Sequence, residues 1–159
     1  MRLTIAAVGR LKDGAERVLV ARYLERLGAA KSIGLGPARE REIAEARQSS
    51  AAERQADEAG RLLKQAGDAD VIVALDERGK AMTSPAFAAW LGRHRDEGRR
   101  HAAFLIGGAD GHGEAARAAA ALTLSLGAMT LSHGLTRVIL AEQLYRATTI
   151  LAGHPYHRG

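Results

Sequence analysis

Apolar residues recur along this chain in two rhythms. Leu3, Ile5 and Ala7 alternate with Arg2, Thr4 and Ala6, the period of a strand, and Gly9 closes it. Val71 to Leu75 and Ala102 to Ile106 are continuously apolar, as parallel strands covered on both faces are. The other rhythm is helical. Val20, Tyr23, Leu24 and Leu27 share one face, preceded by Asp13 and Glu16 in capping-box spacing and followed by Gly28 as a stop. Ser50 and Glu53 open a second helix that Gly67 closes. Ser84-Pro85 predicts a third start, a cap and then proline at the first helical position. Phe87, Trp90, Leu91 and His94 follow at helical spacing, so His94 reads as a helix-surface or core-edge residue. An alanine-rich helix follows Glu114, and a long amphipathic helix spans Leu135 to Ala152, ending near Gly153.

Two short strands complete the expectation, Ser32 to Leu35 and Thr123 to Leu126. Between them Pro37 to Gln48 carries Arg39, Arg41 and Arg47 and reads as an exposed loop, either touching phosphate or simply solvated. Strands alternating with helices predict a single α/β domain over residues 1–159, a mostly parallel sheet flanked by helices. In such sheets ligands bind at the C-terminal ends of strands. Three segments qualify: Asp76 to Lys80 after Leu75, the glycine run after Ile106, and the stretch after Leu126.

Composition narrows the classes. The chain has 159 residues, 47% of them hydrophobic, enough for a real core. It has no cysteine, which excludes disulfides and Cys-ligated zinc. No apolar run reaches the roughly 18 residues of a membrane span. MRLTIAAVGR is too short and broken for a signal peptide, so a cytoplasmic protein without membrane contact is expected. The formal net charge of +5 favours an anionic partner, nucleic acid first, with a solvated basic surface as the bland alternative.

Gly111-His112-Gly113-Glu114-Ala115-Ala116 matches a G-x-G-x-x-A fingerprint for dinucleotides. Its first glycine lies several residues past the strand, however, and no acidic residue stands about 20 positions on. What survives is that glycines after a buried strand let backbone approach a ligand. His154 and His157 are separated by Pro155 and have no carboxylate nearby, so no metal site is expected. Leu126 to Leu131 has almost no ionisable chemistry. It reads either as a buried connection or as backbone that hydrogen-bonds an adenine edge while Leu126, Met129 and Leu131 pack on its face. The polar ending His154-Pro155-Tyr156-His157-Arg158 is either a frayed end or a segment that folds back to complete a site.

These segments together resemble the SPOUT-class RNA methyltransferases, in the branch that N3-methylates a pseudouridine in helix 69 of 23S ribosomal RNA. The similarity covers the whole chain. It is densest in Val73-Ala74-Leu75-Asp76 with Gly79-Lys80, in Leu105-Ile106-Gly107-Gly108 with Gly111, and in Leu126 to His133. It continues through Arg137-Val138, Glu142-Gln143-Leu144-Tyr145-Arg146-Ala147 and the ending. Gly127 and Gly134 depart from the residues common in that branch.

The resemblance implies a SPOUT-type α/β knot, a C-terminal trefoil knot, and S-adenosylmethionine as methyl donor, with no metal. Carried over by position, the donor's contacts are Leu75, Gly107, Leu126, Gly127, Ala128, Met129, Thr130 and Leu131. His133 and His154 are implied on the substrate side, and Tyr156, His157 and Arg158 as the catalytic ending. N3 of pseudouridine is a poor nucleophile until its proton leaves. Arg158 stays protonated and can stabilise the developing anion or hold a phosphate. His157 has a suitable intrinsic pKa for a base, Tyr156 can stack or hydrogen-bond, and water remains an alternative acceptor. The implied partners are 23S ribosomal RNA in assembled ribosomes and a second copy of the chain. The apolar face Leu140, Leu144, Ala147 and Leu151, with Val138, Ala141 and Tyr145 beside it, is the expected homodimer surface. A non-catalytic RNA- or ribosome-binding protein is the alternative that charge alone supports.

Overall fold

The computed structural model describes residues 1–29 and 33–157. Five strands form one sheet: β1 (Arg2–Val8), β2 (Ala38–Ile43), β3 (Val71–Ala81), β4 (His101–Ile106) and β5 (Leu122–Ser125). Their order is β2-β1-β4-β3-β5, and every neighbouring pair is parallel. The helices are α1 (Ala15–Ala29), α2 (Ala51–Ala66), α3 (Ser84–Asp96), α4 (Glu114–Ala119) and α5 (His133–Leu151). A single 3-10 turn, Pro155–His157, follows α5.

Helices cover both faces, which is why residues 71–75 of β3 and 102–106 of β4 are apolar without alternation. On one face α1, α3 and α5 press Leu27, Phe87, Leu91, Leu140 and Leu144 onto Leu3, Ile5, Val73 and Phe104. On the other, α2 and α4 bring Ala59, Leu62 and Ala116 against Ala6, Val8, Ala103 and Leu105. Each large aliphatic side chain buried this way stabilises the fold by about 1.5–3 kcal/mol. His94 packs edge-on against Trp90, with ring centroids 4.3 Å apart, at the margin of α3 as its spacing predicted.

The predicted caps are partly reproduced. Ser50 and Glu53 form the reciprocal pair: Glu53 N–H donates to Ser50 Oγ at 3.2 Å, and Ser50 O–H to the Glu53 carboxylate at 2.9 Å. Thr83, not Ser84, caps α3 by accepting from Ala86 N–H, and this frees the Ser84 hydroxyl to donate to Gln143 at 2.7 Å. Gly28 does not end α1, which continues to Ala29, and Asp13 pairs with Arg17 one turn on.

The strand expected at Ser32 to Leu35 is corrected: Ser32 lies outside the described residues, Ile33 and Gly34 sit in a turn, and the second strand is β2, inside the segment expected to be a loop. Its sequence AREREI alternates between two charges rather than between apolar and polar. The fully buried Arg137 of α5 makes that alternation structural, drawing Glu40 and Glu42 to one face at 3.1 and 2.6 Å.

Asp76 to Lys80 is likewise strand, not loop. The register on β5 shifts between Leu75 and Lys80, and Gly79 lies so close to the next strand that a Cβ there would stand 2.7 Å from the Thr123 carbonyl oxygen. The apolar face expected to bind a second copy is occupied internally. Leu140, Ala141, Leu144 and Ala147 are buried between α5 and the sheet, and Val138, Tyr145 and Leu151 are half-buried.

Candidate active site

The C-terminal ends of β1, β3, β4 and β5 open on one cleft of about 560 Å³. Leu75, Ile106 and Leu124 form its floor, the turn Gly107 to His112 one wall, and the loop carrying Leu126, Gly127, Met129, Thr130 and Leu131 another. The pairing of Leu75 in β3 with Ile106 at the end of β4 and with Leu124 in β5 sets the three strands side by side here. Gly107 is needed for close approach, because a Cβ there would meet the Gly111 carbonyl carbon at 3.0 Å and press the wall outward.

Acidic groups line the cleft as well: Glu45, Asp76, Glu77 and Asp110. Burial pushes the Asp76 carboxyl up, but the Arg78 backbone N–H at 2.9 Å and the Arg78 guanidinium outweigh it, so the group lies below its ordinary value and is ionised at neutral pH. Asp110 is anchored by Arg54 at 2.7 Å, which tilts its titration the same way. Thr130 O–H approaches the Glu77 carboxylate at 3.5 Å from the opposite wall.

Two histidines sit in this cleft and both are neutral by environment. His112 is buried, and burial depresses its pKa against the pull of the Leu75 carbonyl, which accepts from Nε2–H at 3.0 Å. That bond ties the turn after β4 to the end of β3, and Arg117 donates to the His112 carbonyl from behind. His133, at the start of α5, is depressed by burial and then by the charge of Arg137. Arg137 Nη2–H donates to His133 Nε2 at 2.9 Å, which leaves Nδ1 carrying the proton. The same guanidinium donates to the Val8 and Gly9 carbonyl oxygens at 3.0 and 2.6 Å, so one buried cation fixes the ends of β1 and β2 and the first turn of α5 together.

Of the residues expected to touch the donor, Leu75, Gly107, Leu126, Gly127, Met129, Thr130 and Leu131 all line this one cleft. Ala128 lies between them in the same loop without lining it. His133 lines it as well. His154 does not: it is exposed beyond the far end of α5, where its Nδ1 accepts the Tyr156 N–H at 3.2 Å. Tyr156 is also away from the cleft. Its ring packs edge-on against Tyr145 at 5.1 Å with Arg146 over its face, and its hydroxyl donates to Glu142 at 3.3 Å. Glu142 lies about 14 Å along the helix axis from His133. Burial, then a hydrogen bond with Tyr23, pushes the Tyr156 phenol up to about 12. His157 belongs to the 3-10 turn by its backbone, and Arg158 lies outside the described residues.

The sequence reading missed Val8, Glu45, Asp110 and Thr136 in the lining. The rule that ligands gather at strand C-termini applies equally to β1, whose end at Gly9 was visible, but no ionisable residue there drew notice.

Comparisons with known proteins agree with this geometry. A family model described as "Predicted SPOUT methyltransferase" matches residues 1–157. A protein of Rhizobium leguminosarum bv. trifolii named ribosomal RNA large subunit methyltransferase H is 52% identical over 159 residues, covering 99% of each chain. One of the same name from Agrobacterium fabrum is also 52% identical with the same coverage. Among solved structures, a probable methylase family protein of Haemophilus influenzae superposes with a TM-score of 0.50 at 10% identity, over 99% of this chain and 70% of that one, a likeness of fold.

Proposed function

The chain belongs to the SPOUT methyltransferase family, and from that premise we propose that it methylates large-subunit ribosomal RNA, taking the methyl group from S-adenosylmethionine. The acceptor in this reading is N3 of a pseudouridine in helix 69 of 23S RNA, in the assembled ribosome. The fold in this reading carries the trefoil knot of the family.

The observation that carries the proposal is the cleft. Its volume of about 560 Å³ lies within the range usual for small-molecule sites, about 300–1,000 Å³. Leu75, Ile106 and Leu126 offer apolar faces to a purine, the backbone of Gly107 and of residues 126–131 offers hydrogen bonds to its edge, and Asp76 and Glu77 suit a ligand that is cationic at sulfur and nitrogen. When bound, the donor supplies an electrophilic methyl group on a sulfonium. The protein's own part is positioning, which suits an in-line displacement. Asp76, kept ionised by Arg78, holds negative charge in the cleft. His133, kept neutral beside Arg137, presents one N–H donor to the substrate without adding charge.

His154 and Tyr156 stand off the cleft of their own chain, so the reading assigns Tyr156, His157 and Arg158 to the cleft of a second copy, in a homodimer. In that arrangement the Tyr156 phenol, held protonated, is a hydrogen-bond donor and an anchor for the turn rather than the base. The N3 proton then goes to His157 or to water, and Arg158 offsets the charge left on the ring.

Calorimetric titration with S-adenosylmethionine tests the proposal against a non-catalytic RNA-binding protein. Saturable binding at one site per chain supports the enzyme. A folded protein that takes up no donor is an RNA-binding protein only. The low aromatic content, 4%, gives little surface for reading single-stranded bases, so assembled ribosomes are expected to be methylated much faster than an isolated helix 69 hairpin. Equal rates on the two substrates would contradict the ribosomal part of the proposal.

A further inference from the structure

We propose that the outward face of β2, continued by Arg47, holds the RNA backbone beside the cleft. This rests on the methyltransferase reading above and adds to it the surface that grips the substrate. Arg39 and Arg41 are both exposed and, two positions apart on one strand, point from the same face about 6.6 Å from each other. Ile43, next on that face, is buried against the α2 side of the sheet. The chain then crosses the C-terminal ends of the strands, where Gly9 N–H donates to the Ile43 carbonyl at 2.8 Å and Glu45 lines the cleft. Arg47, exposed two residues later, therefore stands at the cleft's rim.

What makes this face unusual is how its charges are sorted. The carboxylates alternating with these arginines, Glu40 and Glu42, are turned to the opposite face by the buried Arg137. Among the described residues, Arg39, Arg41 and Arg47 form no ion pair, so the carboxylates beside them in sequence leave their charge unoffset. Charge on an edge strand also prevents sheet-to-sheet association, but that task needs neither one sign nor continuity with a binding cleft. An unneutralised row of guanidinium groups leading to the mouth of a site fits a polyanion whose reacting nucleotide enters the cleft.

The test compares binding of assembled ribosomes between about 50 and 200 mM salt. Wild type is set against the triple variant Arg39→Gln, Arg41→Gln, Arg47→Gln. A control triple, Arg93→Gln, Arg99→Gln, Arg100→Gln, removes three exposed charges at the opposite end of the sheet. Each phosphate contact contributes roughly 0.7–0.9 to the slope of log affinity against log salt, so the strip variant should lose between about 2 and 3 from the slope. The control and a lysine triple at 39, 41 and 47 should keep it, and donor affinity should be the same in all. An unchanged slope in the strip variant, or an equal loss in the control, overturns the proposal. Wild-type protein that binds with the expected slope yet transfers no methyl group overturns the enzymatic reading and leaves the strip standing.

Discussion

Replacing Arg137 by Met removes the one cation that ties three elements to the cleft. Its side chain is fully buried and donates to Glu40, Glu42, His133 and the carbonyls of Val8 and Gly9. Breaking a buried ion pair from one side costs about 3–5 kcal/mol. The Glu40 and Glu42 side chains are 17% and 21% exposed, so water relieves part of the loss and the lower end, about 3 kcal/mol, applies here. Two carbonyl groups left without this donor add about 1 kcal/mol or more. The expected destabilisation is therefore about 4 kcal/mol, a large part of the roughly 5–15 kcal/mol that holds a domain together.

Urea unfolding at pH 7 measures it, as a shift in midpoint at constant slope. Adding Glu40→Gln and Glu42→Gln to Arg137→Met removes the stranded charges and should recover about 1–3 kcal/mol relative to the sum of the separate effects. A loss under 1 kcal/mol for Arg137→Met, or strict additivity in the combined variant, would refute the reasoning.

Asp76→Asn should weaken donor binding on the order of tenfold by calorimetry, the loss of about 1.5 kcal/mol expected when one charge-assisted contact becomes neutral, with unfolding little changed. Deleting residues 156–159 should abolish methyl transfer while leaving donor affinity intact; turnover by the truncated protein would return the ending to a frayed tail. His112 has a pKa lowered by burial, so the folded state resists its protonation. Its contribution is complete above the unfolded value of about 6.5 and is lost as pH falls below that toward the folded value. Wild type should accordingly lose more stability than His112→Leu between pH 7.5 and 5.5 in parallel urea titrations, and equal losses would show that His112 does not carry this linkage.

The strands that build the core were legible because residues 71–75 of β3 and 102–106 of β4 are apolar without interruption and β1 is bounded by Gly9. β2 was not, since Arg39-Glu40-Arg41-Glu42 offers no apolar signal, and what organises it is Arg137, 95 residues further along the chain from Glu42. The extension of β3 through Asp76 to Lys80 was hidden for a related reason: the close approach of Gly79 to Thr123 is a tertiary fact with no local signature. At the cleft, the rule of strand C-termini located three of the contributing segments, and the resemblance selected residues 126–131 within the last. The seat of Tyr156 was not legible from the polarity of the ending. Tyr156 meets Tyr145, Arg146 and Glu142, an aromatic and charged seat on α5 that periodicity records only as helix surface.

The central claim is most directly tested by incubating the purified protein with labelled S-adenosylmethionine and assembled ribosomes from cells lacking it, then locating the label by mass spectrometry of the digested RNA. The account predicts one methyl group per ribosome, on N3 of a pseudouridine in helix 69. Ribosomes that stay unlabelled with folded, donor-binding protein, or a label on any other nucleotide, would contradict it.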